Sequence, residues 1–152
     1  MIDLKKISAI HAVISALVIT GFINWIIFKL EINGVTAINS QQSEFFFPSS
    51  KIIGSVWTIL VACLAFSFSR VIKKNTKLAF WLMILFLLCV FYPLYTLGFS
   101  FLPTMIFGNL VTIASASFIA GALVSSHKIE SFLTLLISVW VIFVSYLMFY
   151  IN

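Results

Sequence analysis

Charged residues are scarce in this chain: only 9% of its 152 residues are Asp, Glu, Lys or Arg, whereas an average soluble domain has about 25%. Hydrophobic residues make up 62%, and the mean hydropathy is +1.20. A water-soluble fold of this size has no room to bury so much apolar surface, so the composition predicts an integral membrane protein. The length allows five or six spans and no separate soluble catalytic domain, so 1–152 is predicted to be a single domain.

Cysteine and membrane-embedded charge are also in short supply. The two cysteines, Cys63 and Cys89, lie in apolar runs on different segments, which favours packing roles over a disulfide or a metal pair. No acidic or basic residue lies deep in an apolar segment, which argues against an ion-coupled transporter. No catalytic or metal-ligating cluster is recognisable, so an enzyme is not favoured. The net charge of +5 does not imply nucleic acid, because most basic residues flank the apolar segments.

Hydropathy predicts an all-α bundle of five transmembrane helices, since a span needs about 20 apolar residues. The first apolar segment follows two lysines, as in a signal peptide, but its core is too long and no small-residue cleavage site follows it, so it is predicted to be a retained helix. The lipid bilayer is therefore the first predicted partner, and a multi-pass protein of the cell membrane is the predicted location. The five spans cover residues 7–28, 52–68, 78–97, 101–124 and 132–151, and the longest loop covers 29–51.

The basic residues predict the orientation of the bundle. With five spans, seven of the nine lysines and arginines fall on the side of the N-terminus, and only Lys29 and Lys51 fall on the other side. Because positive residues are retained in the cytoplasm, the N-terminus is predicted to be cytoplasmic and the C-terminus extracytoplasmic. The 29–51 loop is then an outer loop.

Aromatic and amide side chains occur at unusual depths in the predicted spans. At ~1.5 Å rise per residue, Trp57 lies about 9 Å and Trp140 about 17 Å below the outer surface. Tyr92, Tyr95 and Asn109 fall in the outer halves of the third and fourth spans. Polar groups in hydrocarbon need partners. Two interpretations remain open: a shared cavity that opens towards the outer side, or ordinary hydrogen bonding between helices.

Three local features shape that outer half. The outer loop contains three successive phenylalanines and then Pro48, which predicts either an interfacial anchor or a lid over a pocket. Pro93 lacks a backbone N–H and is predicted to kink the third span. The fourth span carries small residues four positions apart, which favour close packing within the bundle or, as the alternative, a homodimer seam. These small residues are Gly108, Thr112, Ala116 and Ala120.

The motifs of this chain resemble those of the tryptophan-rich sensory protein family, also called translocator proteins (TspO/MBR). Gly54, Trp57 and Thr58 are similar to the family's Gly-x-x-Trp-Thr at the start of helix two, and the resemblance extends over nearly the whole chain. In helix five, Trp140 and Phe143 are similar to the family's Trp-x-x-Phe. Other positions differ from the family pattern: Phe46 replaces a loop tryptophan, Ser49 a proline, Tyr92 an asparagine, Tyr95 a tryptophan and Met148 an asparagine.

The resemblance implies that a planar hydrophobic ligand, such as a porphyrin or haem, binds in a cavity beneath the first loop. Trp57 and Trp140 are then expected to flank the ligand, and Tyr95 and Phe143 to add aromatic walls. Asn109 is expected to supply a polar contact and Tyr92 an O–H group, while Phe46 and Pro48 form part of the lid. Tryptophan offers a rigid face for a flat ring, and an amide fixes its orientation. No cofactor is implied as obligatory.

Three functions remain open from the sequence. The first is a sensory or transport-related protein that binds a tetrapyrrole or a similar lipophile. The second is a membrane scaffold or accessory subunit that binds a partner protein and no small molecule. The third is light-dependent porphyrin breakdown, in which the photosensitive ligand and a nearby tryptophan do the chemistry.

Overall fold

The computed structural model describes residues 8–29, 50–96 and 102–151, and every regular element in these ranges is a helix. Phe46 and Pro48 lie outside the described residues. Four helices are long and apolar enough to cross a membrane, and a fifth apolar helix is shorter. The elements are α1 (Ala9–Lys29), α2 (Ser50–Val71), α3 (Thr76–Val90), α4 (Tyr92–Thr96), α5 (Leu102–Leu123) and α6 (Lys128–Ile151).

Some of the helices extend beyond the apolar windows that predicted them. For example, α6 begins at Lys128 and α2 ends at Val71, because polar residues at the ends of a span still form helical turns. Residues 76–96, the region of the third predicted span, form two helices separated at Phe91. The prediction of an all-α membrane bundle is confirmed, whereas the count of five spans and the orientation of the termini stay predictions.

Two helix pairs and one central helix organise the bundle. The α5–α6 pair has the most extensive contact, followed by the α1–α2 pair. Helix α2 contacts α1, α3 and α6, and it supplies much of the core, including Val61 and Leu64. Helix α1 packs mainly on α2 and leaves side chains such as Val18 and Phe22 exposed, as expected for a helix that faces lipid.

The small residues of α5 pack inside the bundle. Thr112, Ala116 and Ala120 are buried within the single chain, and the carbonyl of Ala120 accepts a 2.7 Å hydrogen bond from the Ser131 hydroxyl of α6. Of the two predicted uses of this stripe, close packing within the bundle is the one observed.

A buried carboxylate joins α2 to α6 at one end of the bundle. Glu130 lies in the first turn of α6, its side chain is 4% exposed, and Oε1 is 2.5 Å from Nε of Arg70. The two atoms form an ion pair rather than a well-aligned hydrogen bond. Nδ1 of the buried His127 lies 4.0 Å from the other carboxylate oxygen. We call this region the basic end, after Arg70, Lys73, Lys74, Lys77 and Lys128.

Candidate functional site

Pro93 interrupts the helical hydrogen bonds where α3 gives way to α4. In a continuous helix, the N–H of residue 93 would bond to the carbonyl of Cys89, and proline has no N–H to give. The indole Nε1 of Trp57 donates to that carbonyl instead, at 3.1 Å. A proline break inside a membrane is tolerated when a neighbouring helix supplies the missing partner. The predicted kink is therefore a helix break, and a tryptophan of α2 satisfies one of its carbonyls.

Three aromatic rings follow one another at this break. Trp57 and Tyr92 lie 4.4 Å apart between ring centroids and are tilted by 35°, while Tyr92 and Tyr95 meet edge to face at 5.4 Å. Trp57 is only 8% exposed, and both tyrosines are partly buried. We call the surroundings of Trp57, Tyr92, Tyr95 and Asn109 the aromatic end.

A chain of neutral hydrogen bonds crosses the aromatic end from α4 to α6. The Tyr92 hydroxyl donates to Oδ1 of Asn109 at 2.8 Å, and Nδ2 of Asn109 donates to Oγ of Ser145 at 2.9 Å. Ser145 in turn donates to the carbonyl of Val141 at 2.7 Å. Asn109 is buried in α5, so its amide connects three helices in a place that water does not reach.

Tyr95 is held in place by its hydroxyl group and by its ring. Its hydroxyl donates to the carbonyl of Leu88 at 2.9 Å and lies 3.0 Å from Oγ1 of Thr112. Its ring lies so close to α5 that a Cβ built on Gly108 would be 2.3 Å from Cδ2 of the ring. Only glycine at position 108 leaves room for this contact, because real Cβ atoms do not approach other atoms that closely.

Trp140 and Phe143 form a second aromatic pair on α6. Their ring centroids are 5.5 Å apart, Trp140 packs against the hydrophobic core, and Phe143 is largely exposed. Trp140 is connected to the aromatic end through the shared core and not through a ring contact with Trp57.

Two buried acceptor atoms on α1 lack partners. Oγ1 of Thr20 and Oδ1 of Asn24 make no hydrogen bond with any described residue. They lie one helical turn apart, so both point from the same face of α1. Buried polar atoms are nearly always paired in proteins, and an unpaired one needs an explanation such as a ligand or water.

The structure thus brings together four of the predicted site residues and places two others in a neighbouring pair. Trp57, Tyr92, Tyr95 and Asn109 contact one another directly or through one shared partner. Interhelical hydrogen bonding, one of the two interpretations of these residues, is observed, while a shared cavity stays a prediction. The residues described contain no group of three His, Cys, Asp or Glu side chains able to hold a metal ion.

Sequence reasoning missed the cluster at the basic end. It gave no role to His127 or Glu130, whereas the structure buries both and places Glu130 against Arg70. The only available signal was the spacing of His127 and Glu130 across a helix start, where an acidic side chain is favoured by the helix dipole.

Apolar helices long enough to span a bilayer, with buried neutral polar contacts between them, define a polytopic helical membrane protein. The family comparison agrees: the sequence model of the TspO/MBR family matches residues 7–152, essentially the whole chain. The chain therefore belongs to the TspO/MBR family. No match is found among curated proteins or among solved structures.

Proposed function

We propose that this protein binds a planar hydrophobic ligand, a porphyrin, haem or similar lipophile, at the aromatic end. Its role is then sensory or transport-related, and its location is the cell membrane. The observation that carries the proposal is the series of three rings from Trp57 through Tyr92 to Tyr95, held beside the break between α3 and α4. Rigid aromatic faces with a few fixed polar groups are what a flat apolar ligand requires.

The polar groups of the aromatic end suit a ligand that carries a few hydrogen-bonding atoms. Tyr92 and Asn109 are bound to each other by a neutral hydrogen bond, and such bonds exchange partners at a small net cost. On α1, Oδ1 of Asn24 is an acceptor and the Thr20 hydroxyl can accept or donate, and neither has a partner among the described residues, so ring N–H groups or hydroxyls of a ligand suit both.

The remaining predicted residues extend the proposed site. Trp140 and Phe143 form the wall on α6, and Phe46 with Pro48 belongs to the predicted lid outside the described residues. Trp140 packs against the same hydrophobic core that contains Trp57, and its place on the far side of the ligand is part of the proposal. Phe143 is largely exposed, so its contribution is expected to be the smallest of the aromatic residues.

A titration with protoporphyrin IX in detergent, followed at the Soret band, tests the proposal. Saturable binding is expected, and the double variant Trp57→Phe/Trp140→Phe is expected to weaken it by roughly threefold to tenfold, since phenylalanine offers a smaller ring face and a whole stacked aromatic contact is worth ~0.5–1.5 kcal/mol. The matched control is Trp25→Phe/Trp81→Phe, because those two tryptophans are 55% and 42% exposed. Equal loss in both double variants would contradict the proposed site.

Trp57→Phe also removes the donor to the Cys89 carbonyl, so a loss of binding has to be separated from a loss of fold. Trp140→Phe alone provides that separation, because no hydrogen bond of the described structure depends on its indole. Thermal unfolding of each variant in the same detergent completes the comparison. A stable Trp140→Phe protein with weakened porphyrin binding supports the site.

The second candidate function is a membrane scaffold that binds a partner protein and no small molecule. Its support is that Trp57, Tyr92, Tyr95 and Asn109 are already hydrogen-bonded within the chain. A folded protein without any Soret response, recovered from membranes with a stoichiometric protein partner, favours this candidate over ligand binding.

A further inference from the structure

An open apolar groove lies between α1 and α2 at the basic end, away from the aromatic end. Its volume is about 270 Å³, and all of its lining side chains are apolar. Four of them come from the first two turns of α1 and one from the last turns of α2. The lining residues are Ala9, Ile10, Val13, Ile14 and Phe66.

The groove faces outwards and not into the bundle. Ile10 and Ile14, which line it, are 70% and 55% exposed. The groove is slightly smaller than the ~300–1,000 Å³ typical of pockets for drug-sized molecules. An open, entirely apolar groove on a lipid-facing surface fits a slender hydrocarbon chain.

A cation lies at the mouth of this groove. The guanidinium carbon of Arg70 lies 5.6 Å from the centre of the Phe66 ring, which lines the groove. Oε1 of Glu130 contacts Nε of Arg70, and the Arg70 side chain is 54% exposed, so part of its guanidinium is accessible to an anion. Lys73 and Lys74 follow within four residues and are exposed, with no ion pair to a described residue.

We propose that this groove is a binding site for an anionic phospholipid. One acyl chain lies along Phe66 and the first turns of α1, and the headgroup phosphate accepts hydrogen bonds from the terminal amino groups of Arg70. Arginine binds phosphate in this way through charge-assisted, paired hydrogen bonds. The role of Glu130 is to hold the Arg70 side chain in place through Nε while its terminal groups face the lipid.

The charge around the groove favours an anionic phospholipid over other occupants. Among the described residues, the exposed charged side chains that follow Phe66 in the sequence, Arg70, Lys73 and Lys74, are all basic, and the acidic side chain beside Arg70, Glu130, is buried and paired. A neutral phospholipid or a second copy of this basic surface does not complement that charge. The site is independent of the proposed porphyrin site, since the residues of the two do not overlap.

Native mass spectrometry of the full chain, with phosphatidylglycerol and phosphatidylcholine supplied together, measures the preference for the anionic lipid. Ala9→Phe fills the groove without changing charge and is expected to abolish retained lipid adducts. Val18→Phe is the matched control, because Val18 is an exposed residue of the same helix outside the groove. Adducts that persist unchanged in Ala9→Phe overturn the proposal.

The headgroup contact is tested by two further variants. Glu130→Gln keeps Arg70 charged and keeps an amide oxygen that can accept from its Nε, so the preference for phosphatidylglycerol is expected to persist. Arg70→Gln/Glu130→Gln removes both charges and leaves no unpaired carboxylate, and it is expected to lower the preference roughly fivefold, since a basic residue near an anionic surface is worth ~1 kcal/mol. Lys29→Gln, a charge lost at the opposite end of α1, is the control. An unchanged preference in the double variant overturns the headgroup assignment, and a preference lost equally in Lys29→Gln shows unspecific charge attraction instead.

Discussion

The aromatic end and the basic end both contain buried polar groups that need partners, and the partners differ in their chemistry. At the aromatic end, a carbonyl freed by Pro93 and a buried amide are satisfied by neutral donors and acceptors from Trp57, Tyr92 and Ser145. At the basic end, the buried carboxylate of Glu130 is satisfied mainly by the charge of Arg70. Neutral hydrogen bonds exchange partners at small net cost, whereas an isolated buried charge is very unfavourable. The proposed planar-ligand site therefore lies among neutral hydrogen bonds, whereas at the basic end an ion pair fixes α2 to α6.

The largest expected effect comes from breaking the ion pair at the basic end. Arg70→Ala leaves the Glu130 carboxylate buried without a cation, and removal of one partner of a buried pair costs ~3–5 kcal/mol. Because the Arg70 side chain is 54% exposed, we expect the lower value, about 3 kcal/mol. Unfolding of the purified protein in detergent measures it. Adding Glu130→Gln to Arg70→Ala should recover most of the loss, and no recovery would show that the carboxylate is not the cause.

The next effect concerns the close contact at the aromatic end. Gly108→Ala places a Cβ against the Tyr95 ring, and a shift of that ring strains its hydrogen bonds to Leu88 and Thr112. Overpacking of this kind costs ~1–3 kcal/mol. Gly121→Ala is the matched control on the same helix, because nothing lies within 4 Å of its added Cβ. The control should be neutral or slightly stabilising in the same unfolding assay, and equal effects at both glycines would contradict the role of Tyr95.

The smallest expected loss of stability comes from removing a hydrogen bond of the neutral network, and it distinguishes that network from the ion pair. Tyr92→Phe removes the hydroxyl that donates to Asn109 but keeps the ring stacked on Trp57. Interhelical hydrogen bonds in membranes average ~0.6 kcal/mol, so stability should fall by only about that amount. A double-mutant cycle with Asn109→Leu measures the pairwise term. A coupling as large as that between Arg70 and Glu130 would remove the distinction between the two ends.

Sequence patterns predicted the local features of the bundle better than its long-range contacts. Apolar windows located the long helices, and the missing N–H of Pro93 predicted the interruption of α3. The burial of Glu130 was not predicted, because its partner Arg70 lies 60 residues away and a single sequence does not show such pairs.

At the candidate site, too, the sequence predicted individual residues but not their contact partners. The small-residue stripe identified Gly108 as a point of close approach, but not that Tyr95 fills the space. Likewise, tryptophan at the depth of Trp57 indicated a polar partner inside the bundle, and only the structure shows that this partner is the carbonyl of Cys89. Identifying these contacts required the packing of α2 on α3 and of α4 on α5.

The hydrogen bond between Trp57 and the Cys89 carbonyl also has a genetic consequence. That carbonyl depends on the indole because Pro93 has no N–H to offer it, so the two positions form an epistatic pair. A non-proline residue at position 93 restores the backbone donor and makes the indole N–H dispensable for the fold. Selection for stable revertants of Trp57→Phe should therefore return substitutions of Pro93, a residue on a different helix.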